Sequence, residues 1–161
     1  MRRRESGPRK IAENAKINLD VTRIMCEPVN MTTTLYRGDT SRPVRPEITA
    51  GTWLTESAEV AAWYGNANRY ELDLHTLDLT DLGVGDGDDS AQVEALREKL
   101  VDAGVNVDGL RLHLTEIYMV VEEKEAQAAI RAGGFDSVAV EQWNADLSDE
   151  PYTAILYLGE A

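Results

Sequence analysis

Apolar and polar residues alternate in several short stretches, and each predicts an extended segment. TTTLYR (32–37) is β-branched and aromatic, the composition of a strand. GTWLT (51–55) is a second short strand. RYELDLHTLDL (69–79) puts Tyr70, Leu72 and Leu74 on one side, which predicts a single half-buried strand. FDSVAVEQ (135–142) and YTAILYL (152–158) are two more. Helical spacing falls elsewhere. SAEVAAWYG (57–65) is a short helix with Ser57 or Thr55 as cap and Gly65 as stop. Val93, Leu96 and Leu100 share a helical face up to Gly104, after a capping box of Asp89 and Gln92. Residues 108–132 read as largely helical, ending at Gly133-Gly134. Gly38, Pro43 and Pro46 exclude regular structure from 38–50. Segments 83–90 and 144–151 are loops.

The order is strand, loop, strand, helix, strand, helices, strand, strand. Two consecutive strands at the end do not suit a doubly wound parallel sheet. An α+β fold with a mixed or antiparallel sheet is expected instead. There is no internal repeat. With 161 residues, one domain over 31–161 is expected, preceded by a basic arm and lead-in segment over 1–30. EPVN (27–30) marks the boundary.

Charge changes the picture. The formal net charge is −13, yet residues 1–10 carry five bases and one acid. Such acidity opposes general binding to nucleic acid or to an anionic membrane. Its ordinary role is solubility; its sharper one is docking on a basic partner. Cys26 is the single cysteine, so no internal disulfide forms, and no His/Cys cluster suggests zinc. His75 and His113 lack the Ser or Cys motif of a catalytic dyad. DGDDS lacks the later glycine and glutamate of a calcium loop. The basic start is followed by no apolar run, and no stretch reaches the ~20 apolar residues of a membrane span. A soluble, cytoplasmic protein is expected.

Against this acidity, Arg37, Arg42 and Arg45 crowd one segment, LYRGDTSRPVR. An arginine at a strand end can grip phosphate or carboxylate with its planar fork. Gly38 allows a close backbone approach. The plainer alternative is an Arg37–Asp39 pair closing a turn.

LYRGDTSRP resembles the opening of the ADP-ribosyltransferase toxins, whose first core strand ends in Tyr-Arg. GTWLTESAEVAAWYG resembles the diphtheria-toxin and poly-ADP-ribose-polymerase branch, in which two aromatic residues sandwich the nicotinamide ring. FDSVAV and YTAILY resemble the last two core strands of that branch. The resemblance covers about residues 33–158 as scattered short motifs. It implies a split mixed or antiparallel sheet with flanking helices, and NAD as co-substrate without a metal. It further implies that Arg37, Gly38, Asp39, Arg42, Trp53, Thr55 and Tyr64 hold NAD, with Arg42 or Arg45 at the pyrophosphate. Trp53 and Tyr64 would be the sandwich, although such residues are ordinarily core. The acceptor would be another protein, basic to suit the acidic surface.

The family carries a glutamate on a late core strand, beside the ribose. Here the strict match in YTAILY is Thr153. Glu150 is the first candidate for that carboxylate, with Asp149 beside it, and Glu141 the second. The toxin Glu-x-Glu spacing occurs in EEKE (122–125), but there it reads as a solvated face. Thr52 and Thr55 are the nearest equivalents of the toxins' Ser-Thr-Ser. A catalytically inactive protein of the same fold, inhibiting a basic nucleic-acid-binding partner by docking or mimicry, is the alternative.

Overall fold

The computed structural model describes residues 32–40, 47–85, 90–113 and 116–160. The basic arm, Cys26, Arg42, Arg45 and the Asp89 cap lie outside the described residues.

The β-branched run forms β1 (Thr32–Asp39), which pairs antiparallel with β3 (Asn66–Asp73) along its full length. Between them in the chain, not in the sheet, come β2 (Thr52–Thr55) and helix α1 (Ala58–Ala62). The alternating 69–79 run does not form one strand. It ends β3 at Asp73 and restarts as β4 (Thr76–Asp78), which pairs parallel with β5 (Ser137–Gln142). β6 (Tyr152–Tyr157) lies antiparallel between β5 and β2. The six strands run in the order β3-β1-β2-β6-β5-β4. The fold is therefore α+β with a mixed sheet.

This order has a geometric consequence. β3 and β4 are opposite edges of the sheet, yet only Leu74 and His75 separate them in the chain. Three Cα steps reach roughly 11 Å. Five inter-strand spacings in a flat sheet would put the edges roughly 24 Å apart. The sheet is consequently curled until its edges approach. Asp136 secures the corner. Its Oδ1 accepts the His75 backbone N–H at 2.8 Å, and its own N–H donates to the His75 carbonyl at 3.1 Å. The His75 ring bonds the Gly134 carbonyl at 2.7 Å and stacks on Phe135. These contacts draw the chain out of β3 where the apolar phase shifts, from Tyr70, Leu72 and Leu74 to Leu77 and Leu79, so the run yields two strands.

Residue alternation sorts the core into two clusters. Leu35, Leu54, Tyr70, Ala139 and Ile155 form one. Val138, Val140, Ala154 and Leu156 point the other way, under helices α2 (Ser90–Asp102), α3 (Ile117–Glu122) and α4 (Lys124–Ala132). The expected helix over 108–132 is shorter at its start. An Asn106 side chain accepts the Asp108 N–H at 3.0 Å and Gly109 has φ +76°, so a turn occupies that stretch. Glu123, extended at φ −65° and ψ 133°, separates α3 from α4.

Asp136→Ala leaves the His75 N–H without its acceptor and should cost about 1–3 kcal/mol. Asp136→Asn keeps the oxygen and should cost less. Urea unfolding of the two variants measures the difference.

Candidate functional site

β1 and β2 face each other at one residue pair, Tyr36 and Thr55. A cleft of about 570 Å³ lies at this join. That is within the roughly 300–1,000 Å³ of small-molecule sites. β1 contributes Tyr36, Arg37 and Gly38; β2 contributes Thr52 to Thr55; α1 and the residues after it contribute Val60, Ala61 and Tyr64. Gln142, Tyr152 and Ala154 close it from β5 and β6.

Arg37 is half-buried. The ion pairs among the described residues join Arg69 to Glu71, Arg97 to Glu94, Lys99 to Asp81 and Arg111 to Glu123. Arg37 is in none of them, so no Arg37–Asp39 pair closes the turn. A guanidinium in a cleft without a carboxylate partner is a ready site for an anion. Asp39 ends β1 opposite Asn66 and does not line the cleft.

Gly38 has a structural reason beyond any ligand. A Cβ there would lie 2.1 Å from the Ala61 carbonyl oxygen and 2.8 Å from the Tyr64 Cβ. Glycine lets the end of α1 press onto β1, and that contact seats Tyr64 at the cleft. The start of α1 is held by hydroxyls: Ser57 Oγ accepts the Val60 N–H and Thr55 Oγ1 accepts the Ser57 N–H, each at 3.2 Å. Ser57 is thus the cap, and Thr55, a buried cleft residue, supports it.

Both expected sandwich residues line the cleft. Trp53 is half-buried, and its indole N–H donates to Glu122 Oε1 at 2.9 Å. Tyr64 is 46% exposed. Its hydroxyl lies 2.7 Å from that of Tyr152, which donates to Gln142 Oε1 at 3.2 Å. Either hydroxyl can be the donor in the Tyr64–Tyr152 bond. Burial pushes the Tyr152 phenol well above its usual range, and the Tyr64 hydroxyl adds to the shift. Trp63 meets the Tyr152 ring edge-on, with centroids 5.8 Å apart.

The expected carboxylates stand elsewhere. Glu150 is exposed in the turn before β6, its N–H on Ser148 Oγ, and Asp149 is exposed beside it. Glu141 pairs with Thr153 and alternates with Gln142, so it shares a face with Ala139. None of the three lines the cleft, and no Asp or Glu does among the described residues. Tyr36, Gln142 and Tyr152 were missed from sequence. The usable signal was the alternation Val138-Val140-Gln142, in which a polar side chain follows two core positions. Among the described residues no group of three or more His, Cys, Asp or Glu could hold a metal ion, and no helix is long and apolar enough to cross a membrane.

Comparison with family models, with curated proteins and with solved structures finds no match.

Gly38→Ala should force α1 off β1, at a cost of about 1–3 kcal/mol, the scale of overpacking. Thermal unfolding reads that cost. Amide and aromatic NMR shifts of Tyr64 and Tyr152 should move in the same variant, because their hydroxyl bond depends on the α1 contact.

Proposed function

We propose that the protein is a mono-ADP-ribosyltransferase that uses NAD to modify another protein. One observation carries the reading. Arg37, Gly38, Trp53, Thr55 and Tyr64, named from the resemblance, come from separate elements and line a single cleft. In this reading Trp53 and Tyr64 flank the cationic nicotinamide, gaining stacking and cation–π attraction. Arg37 helps hold the nicotinamide half, and Arg42 or Arg45, which lie outside the described residues, would meet the pyrophosphate. The bond between the anomeric carbon and the nicotinamide nitrogen breaks, and nicotinamide leaves neutral with the electron pair. The acceptor nucleophile bonds to the anomeric carbon and releases a proton. The transition state resembles that of glycoside hydrolysis, so a carboxylate near the ribose would stabilise it. Glu150 is the first candidate for that role and Glu141 the second.

The absence of a carboxylate among the described cleft residues favours a second reading. In it the cleft binds NAD, or another anion with a flat ring, without transfer, and the acidic protein inhibits a basic partner by docking.

Incubation with labelled NAD and a cell lysate separates the two. Transfer of label to protein supports the enzyme; saturable NAD binding without transfer supports the docking protein. Arg37→Ala should weaken NAD binding tenfold or more, since a charge-assisted contact contributes roughly 1.5–3 kcal/mol. Calorimetric titration checks this, and unchanged affinity in a folded variant removes Arg37 from the site. Should Glu150 supply the acid, Glu150→Gln lowers transfer by about 10²–10³ with NAD affinity kept. Glu141→Gln, assayed in parallel, tests the other position.

A further inference from the structure

Glu122 is the last residue of α3 and the first of the EEKE run. Its carboxylate is exposed, a setting in which water ordinarily satisfies it. Here Oε1 instead accepts the Trp53 indole N–H, from a residue 69 positions away in the chain. No cation pairs with Glu122 among the described residues; Arg111 approaches Glu123 instead, at 3.7 Å. Trp53 is thereby held at two points. Its backbone is fixed in β2, paired with Leu156, and the N–H edge of its ring is tethered to α3. Trp53 lines the cleft and also packs against the larger core cluster.

A second effect is electronic. An indole that donates its N–H to an anion gains electron density over the ring. Its face then attracts a cation more strongly. The negative charge of Glu122 also lies within a ring's width of anything stacked on Trp53, where it adds direct Coulomb attraction. Both effects act on a charged ligand only. A neutral flat ring stacks through contact area, which Glu122 does not alter.

We infer that the Trp53–Glu122 pair makes the cleft selective for a positively charged flat ring over its neutral counterpart. The inference rests on the reading that this cleft takes a nicotinamide ring. That ring is cationic in intact NAD and neutral once it has left, so the pair holds the co-substrate and lets the product go. Glu122 does not line the cleft; it is a positioning residue for Trp53 that also contributes its charge from beside the ring.

The test compares two probes, nicotinamide and nicotinamide methylated on its ring nitrogen, by calorimetric titration. Glu122→Gln keeps an acceptor oxygen for the indole and removes the charge. It should weaken the methylated cation about three- to tenfold, while neutral nicotinamide changes less than about twofold. Glu122→Ala frees the ring and should weaken both probes. The Trp53 indole N–H resonance should stay near its wild-type position in the glutamine variant and move in the alanine variant. Equal losses of both probes in Glu122→Gln, or no loss of either, overturns the inference. A wild-type protein that binds NAD but shows no preference for the cation overturns this inference alone. One that binds neither NAD nor either probe overturns the nicotinamide reading, and this inference with it.

Discussion

The two-residue link between β3 and β4 constrains everything else in the fold. Leu74 and His75 must join strands that stand at opposite edges of the sheet. A flat sheet cannot satisfy that link, so the sheet curls and encloses Leu35, Leu54, Tyr70, Ala139 and Ile155. Asp136 closes the corner with backbone and side-chain bonds at once. Curling has a counterpart at the middle of the sheet. β1 and β2 keep a single facing pair, and the cleft lies at that thinnest join. Corner and cleft thus follow from one topology.

Helix α1 turns the gap into a site. It is only five residues long and could not persist alone. Hydroxyls of Thr55 and Ser57 hold its start, and the missing side chain of Gly38 admits its end. Gly65, at φ +134°, then turns the chain into β3, where a Cβ would lie 2.5 Å from the Asp39 carbonyl carbon. The result places Tyr64 opposite Tyr152 with their hydroxyls bonded. The Arg-Gly pair so divides its work: Arg37 offers charge to the cleft, while Gly38 serves the packing that shapes it. On a chain of net charge −13, Arg37 is a cleft guanidinium with no ion pair among the described residues.

Local patterns were legible in the sequence because their causes are local. The β-branched run before Arg37, the alternation in 137–142 and 152–157, and the Ser57 cap all rest on side-chain period or on bonds within a few residues. They sufficed for an α+β class with a mixed or antiparallel sheet, whereas the grouping of Arg37, Gly38, Trp53, Thr55 and Tyr64 came from the family resemblance and not from period. What tertiary structure alone decided depends on pairs distant in the chain. The run 69–79 shifts its apolar phase between Leu74 and Leu77, but that β4 then joins the far edge of the sheet is decided by its pairing with β5 and by Asp136, some 61 residues on from His75. Glu141 and Gln142 are neighbours in sequence, yet the pleat sends Gln142 to the cleft and Glu141 to the opposite face. Glu122 looks like any solvated acid until α3 sets it against Trp53. Period and propensity report which residues share a face of their own element. Which elements then meet is chosen by strand order and by the curl of the sheet, and these arise from contacts that no short stretch contains.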